Sequence, residues 1–282
     1  MIGGCGKENM NKLSKKLNPI ELGRIIGLFE EKGWKIDENN KNSLYNRYLN
    51  RYVSLKTKEE KDFFISISKR YQVIDLNQYH KLLVDILNTI FKTTKKKEIL
   101  VFPLLSKNDI SKIKSSTFMC YLFNHVSINY YDNLAKKAFT VIEDYKMLNK
   151  KFRDGKYLLL VDDYIGSGNQ CINALDDIIY DIDIEMASHI YIISLYINEK
   201  GIETITEKIK GYENISLVYG ASTEYVLAED KHILKSIDIV DKDKNYMGYK
   251  NCGDLITLIR TPNNTIPLFR HRKNAPFPRN IK

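Results

Sequence analysis

Apolar residues recur with two different periods along this chain, and the change falls near residue 95. Before it the spacing is helical. Leu22, Ile25, Ile26 and Phe29 share one face behind Asn18-Pro19, a good cap and first turn, and Gly33 is placed to stop the helix. Tyr45, Tyr48 and Leu49 give a shorter face. Thr57 to Lys69 reads as a further helix, with Thr57 and Glu60 at capping-box spacing. The widest stripe is Leu76, Tyr79, Leu83, Ile86, Leu87 and Ile90, within a helix predicted from Leu76 to Phe91. Leu83, Ile86 and Ile90 need burial, against the chain's own core or against a partner. Trp34 is expected to pack, and His80 to sit on the helix surface.

After the polar stretch Thr93 to Lys97, short apolar runs of strand length alternate with helical stripes. The runs are Ile99 to Phe102, halted near Pro103, then Tyr157 to Val161, His189 to Tyr196, Ile215 to Tyr219 and Leu255 to Ile259. Between them, Cys171, Ala174, Leu175, Ile178 and Ile179 share a face, and Ile202 to Ile209 reads as helix. Asp132 to Leu148 is also predicted helical, on Leu134, Ala138, Val141, Ile142 and Tyr145. Phe118 to Phe123 fits helix or strand. Asp154-Gly155 marks a turn, and Lys231 to Lys244 a helix followed by a loop. Strand alternating with crossover helix predicts an α/β fold with a parallel sheet. The expected division is a helical extension over 1–94 and the sheet domain with a basic tail over 95–282.

Composition narrows the setting. Among 282 residues, 43% are hydrophobic, enough for a sizeable core. No apolar run reaches membrane-spanning length, and Met1 to Lys16 lacks the apolar region of a secretory signal. The four cysteines, Cys5, Cys120, Cys171 and Cys252, have no close pairing or zinc spacing; Cys171, on the apolar face of a helix, reads as a buried thiol, and a reducing cytoplasm is the simplest setting. A formal charge of +9 favours anionic partners without choosing among them. Arg270, His271, Arg272, Lys273, Arg279 and Lys282 make a basic tail that either binds anions or stays solvated.

The densest chemistry lies between Tyr157 and Asp176. The run ending at Val161 is closed by Asp162 and Asp163, then by the turn Tyr164-Ile165-Gly166-Ser167-Gly168-Asn169, then by a helix containing Gln170. Carboxylates at a strand end accept from ribose hydroxyls; glycines and helix amides cradle a phosphate. The acids would also favour Mg²⁺, a hard cation held by carboxylates, water and ligand phosphates. Lys107, Lys114, Ser115 and Ser116, after the first strand, are weaker candidates for anion contact.

Val161-Asp162-Asp163-Tyr164-Ile165-Gly166-Ser167-Gly168 resembles the phosphoribosyl-diphosphate loop of type I phosphoribosyltransferases. The resemblance implies ribose-hydroxyl, metal and catalytic roles for Asp162 and Asp163. It implies 5′-phosphate contacts over Tyr164, Ile165, Gly166, Ser167, Gly168, Asn169 and Gln170, with Ser167 in the usual Thr position. Gln170 departs from the Thr or Ser common there, and no basic-glycine diphosphate loop follows the first strand. With the turn Thr261-Pro262-Asn263-Asn264-Thr265-Ile266-Pro267, the chain is similar to phosphoribosyltransferase-like domains of bacterial conflict and anti-phage systems.

Two functions follow as expectations. One is a sensor or interaction module that binds phosphoribosyl diphosphate or another phosphorylated ribose in a defence system, with a protein or ribonucleoprotein partner. The other is a Mg²⁺-dependent transferase acting at the anomeric carbon. A receiver domain, suggested by Leu159 to Asp163, lacks the acceptor Asp at a later strand end.

Overall fold

The computed structural model describes residues 16–92, 98–110, 112, 114–152, 156–182, 189–240, 244–271 and 274–279. The Thr93–Lys97 boundary, the Asp154-Gly155 turn, Cys5 and the tail residues Arg272, Lys273 and Lys282 lie outside them. The chain groups into two compact units, Asp75–Thr223, and Met1–Ile74 together with Glu224–Lys282. The grouping differs from a division at 94/95: the Leu76–Phe91 helix belongs with the sheet, and residues after 224 belong with the first three helices.

The second unit is built on helices α1 (Pro19–Glu31), α2 (Leu44–Val53) and α3 (Lys58–Arg70). Asn18 with Glu21, and Thr57 with Glu60, close capping boxes at α1 and α3. Gly33 follows α1 at φ +63°, the left-handed position where glycine stops a helix. Strand β1 (Gln72–Val73) pairs in parallel with the late strand β7 (Ile256–Thr257). The core is aromatic: Phe29, Trp34, Tyr48, Phe64, Tyr71 and Phe269 are buried together. Trp34 packs there, as its place in the pattern predicts.

The sheet unit opens with α4 (Leu76–Phe91), followed by β2 (Glu98–Pro103), α5 (Ser115–Leu122), β3 (Ala138–Val141), α6 (Tyr145–Lys151), β4 (Tyr157–Ile165), α7 (Asn169–Asp181), β5 (His189–Ile197), α8 (Glu199–Ile209) and β6 (Ile215–Ser222). Five strands pair in the order β3-β2-β4-β5-β6, all parallel. This is the expected α/β class. Leu158 and Leu160 of β4, Leu100 and Phe102 of β2, and Ile190 and Ile192 of β5 meet α6, α7 and α8 on one face. Tyr157, the next residue in alternation, stacks instead with Phe91 of α4. Leu83, Ile86 and Ile90 are buried, whereas Leu76 at the head of the same stripe is exposed.

One helix predicted from sequence is corrected. Residues 132–148 are not one helix: β3 occupies Ala138–Val141, and α6 starts after Asp144, whose side chain caps it through the Met147 amide. Pairing with β2 over Glu98–Val101 overrides the helical spacing of Leu134, Ala138 and Val141. Phe118–Phe123 resolves as helix, within and just after α5.

After Glu224 come α9 (Lys231–Ser236), β7 and α10 (Pro267–Arg270). Thr261, Asn264 and Thr265 of the two-proline turn are buried. Asn264 donates to the Tyr249 carbonyl, and Thr265 to that of Ile256. The turn fastens the late segment of this unit.

Candidate functional site

Strand order places the site. From β2 the chain moves to β3 on one side; from β4 it moves to β5 on the other, so the order reverses between β2 and β4. In an open parallel sheet, the crevice beyond the carboxyl ends at such a reversal is the natural ligand position. The loop after β2 and the loop after β4 both emerge there.

Strand β4 runs further than its apolar core suggests. Asp162 pairs in register with Ser194, Tyr164 with Tyr196 and Ile165 with Ile197. Tyr164 and Ile165 therefore belong to the strand, and the turn is confined to Gly166, Ser167 and Gly168. Ile165 is buried, while Asn169 and Gln170 are exposed on the first turn of α7. Gly168 is the N-cap of α7 at φ +81°, and no side chain caps the helix. Amides of the first turn thus face the loop without a protein side chain across them, and the helix dipole adds positive potential.

The loop is held from behind. A side-chain carbon on Gly201 of α8 would come 2.5 Å from the Gly166 carbonyl oxygen, so only glycine permits this approach. A carbon on Gly168 would meet Thr204 at 3.0 Å. The Asn198 amide donates to the Ile165 carbonyl at 2.9 Å, and the Asn198 side chain caps the start of α8 through the Lys200 amide. Neither Gly201 nor Asn198 stood out in the sequence. A glycine inside a helical stretch, costly unless close packing demands it, was the available signal.

The two acids have different surroundings. Asp163 is buried, and its Oδ2 accepts the Tyr79 hydroxyl of α4 at 2.7 Å. Asp162 is half-buried; its Oδ1 accepts the Asp163 amide at 2.9 Å and the Ser115 hydroxyl at 3.2 Å. Burial, then the neighbouring Asp163 charge, push the Asp162 carboxyl well above the ordinary range. The nearby thiols are muted for the same reasons. Burial and Asp162 push Cys120 up to about 12, and Cys171 moves the same way. Both are buried, as expected for Cys171, and neither is a nucleophile near neutral pH.

The lysines proposed near the site are engaged elsewhere. Lys107 pairs with Asp181 at 2.7 Å, and Lys114 with Asp109 at 3.4 Å. Ser115 reaches Asp162, whereas the buried Ser116 hydroxyl has no hydrogen-bond partner among the described residues. No group of three metal-ligating side chains occurs among the described residues. No helix among them is long and apolar enough to cross a membrane.

A family model described as PRTase-CE matches residues 41–279. The chain belongs to the PRTase-CE family. Its domain is phosphoribosyltransferase-like, and the match spans both units. Among solved structures, this chain is similar to an orotate phosphoribosyltransferase from Aeropyrum pernix, at 11% identity and a TM-score of 0.31 over 57% of this chain and 74% of that one. The AQ2163 protein from Aquifex aeolicus aligns at 10% identity and a TM-score of 0.31, over 66% and 86% respectively. No curated protein matches the chain.

Proposed function

We propose that this PRTase-CE protein binds a phosphorylated ribose, phosphoribosyl diphosphate above all, and works as a ligand-responsive module rather than as a transferase. The observation that carries the reading is the α7 N-terminus: a left-handed glycine cap without a side-chain cap, one short turn beyond the strand that carries Asp162 and Asp163, at the reversal of strand order. The 5′-phosphate would meet the amides around Ser167, Gly168, Asn169 and Gln170, and the ribose hydroxyls would meet the acids. Ile165 is buried, so its side chain packs beneath the loop.

Mg²⁺ fits this donor set as an ion arriving on the ligand. Two adjacent carboxylates, one bonded to Tyr79, suit a hydrated ion shared with phosphate oxygens better than an all-protein cage. When bound, it would neutralise diphosphate charge.

A binding role is favoured over turnover by the loop after β2. Lys107 and Lys114 are tied to Asp181 and Asp109, and the loop lacks the basic-glycine pattern of a diphosphate subsite. The resemblance to conflict-system domains supports placing this module in bacterial defence. Calorimetry with ribose 5-phosphate and phosphoribosyl diphosphate, with and without Mg²⁺, tests the reading. Binding weakened by Asp162→Asn with Asp163→Asn is the expected result. Diphosphate release with pooled nucleobases, lost in Asp163→Asn, would instead establish the transferase.

A further inference from the structure

Phe277 ties three segments of the end unit together. Its amide donates to the Phe269 carbonyl at 2.8 Å, and its carbonyl accepts the Thr261 hydroxyl at 3.0 Å. Its ring stacks on Tyr71 at 4.7 Å and meets Trp34 edge-on at 5.6 Å. Each tethered segment carries an arginine beside its tether. Arg260 precedes Thr261, Arg270 follows Phe269, and Arg279 stands two residues beyond Phe277. With about 3.8 Å between successive Cα atoms, none of the three lies far from the hub.

Their settings differ. The Arg270 guanidinium is fixed by the two-proline turn, with Nε on the Thr265 carbonyl at 2.6 Å and Nη2 on the Asn263 carbonyl at 2.9 Å. Arg260 is exposed. Arg279 is half-buried, and no described carboxylate lies within ion-pair distance of it. Burial, then the charges of Arg260 and Arg270, lower its pKa. Arg279 has the greatest need of an anion.

We propose that Arg260, Arg270 and Arg279 form an anion site within the end unit, made of other residues than the β4 loop and specific for the phosphate groups of a small molecule. Guanidinium forks match phosphate oxygens two at a time, and a diphosphate offers enough oxygens for several forks. A bounded cluster held by one aromatic hub suits a compact ligand. A nucleic-acid strand would instead want a charged track with repeated stacking rings. This inference does not depend on the ribose-phosphate reading.

The test is calorimetry of the full chain with inorganic diphosphate, compared with a single-stranded oligonucleotide. Arg279→Gln should weaken diphosphate binding at least tenfold and abolish its stabilising shift in melting temperature. Arg279→Lys, which keeps the charge and loses the fork, should restore only part. The exposed Arg260→Gln should weaken binding severalfold and stands in should Arg279→Gln fail to fold. The Asp162→Asn, Asp163→Asn double variant should retain this arginine-dependent binding. Diphosphate affinity unchanged in both glutamine variants, or arginine-dependent binding of the oligonucleotide alone, would overturn the proposal.

Discussion

The Tyr79 hydroxyl donates to Oδ2 of Asp163 at 2.7 Å, with both residues buried. A helix that reads in sequence as packing therefore also sets the direction of one of the two acids. Tyr79→Phe removes the donor and leaves a buried carboxylate oxygen unanswered, which costs about 1–3 kcal/mol. We expect a lower melting temperature together with weaker binding of phosphoribosyl diphosphate. Full-strength binding in the variant would mean that Asp163 needs no such anchor.

Gly201→Ala tests the support behind the loop. The new carbon would lie 2.5 Å from the Gly166 carbonyl oxygen, so the loop or α8 must shift. Overpacking of this kind costs about 1–3 kcal/mol. Ligand affinity should fall at least tenfold, while Gly211→Ala, with nothing within 4 Å of its added carbon, should bind as the parent does. Equal calorimetric affinities for the two variants would refute the buttress.

Asp162 sets a pH dependence. Its folded-state pKa is raised by burial and by Asp163, so the folded protein holds this proton more tightly than the unfolded chain. The resulting stability is fully present below the unfolded value of about 3.9 and is lost as pH rises through the raised folded value. Asp162→Asn stays neutral and escapes that loss. In chelator-containing buffer, its denaturation midpoint should exceed the parent's at neutral pH and converge with it near pH 4.

Gly248→Ala should damage the two-proline turn. Gly248 sits at φ +76°, and an added carbon would fall 2.3 Å from the Asn264 carbonyl oxygen. Left-handed geometry alone costs about 1–2 kcal/mol for a side-chain-bearing residue. Faster limited proteolysis within residues 224–282 is expected; a parental digestion pattern would show that the turn can give way.

Much of this arrangement was legible in the pattern of residues. The Asn18 cap, the capping box at Thr57 and the parallel alternation after 157 follow from local rules, and the structure has them; the acid pair lies inside β4, which continues through Tyr164 and Ile165. Other features depend on distant partners. Residues 132–148 carry a fair helical stripe, yet β2 supplies a ladder that local spacing cannot reveal. Tyr79 reads as one more stripe residue until the fold brings Asp163 opposite it, 84 positions later. Gly201 has meaning only against the Gly166 carbonyl. The grouping of the first 74 residues with those after 224 left no local mark, since it rests on pairings such as Gln72 with Ile256.

That last pairing sets an order of events during synthesis. Gln72 and Ile256 are 184 positions apart, so β1 leaves the ribosome roughly 10–40 s before its partner at ordinary elongation rates. The sheet unit is contiguous and has all its strands by residue 222, so it can be completed first. Phe64 and Tyr71, meanwhile, lack Phe269, which later sits 5.3 Å and 4.2 Å from their rings. The nascent chain thus carries an unfinished aromatic surface across the whole translation of the sheet, and chaperone crosslinks to the growing polypeptide should concentrate on the segment containing Phe29, Tyr48, Phe64 and Tyr71.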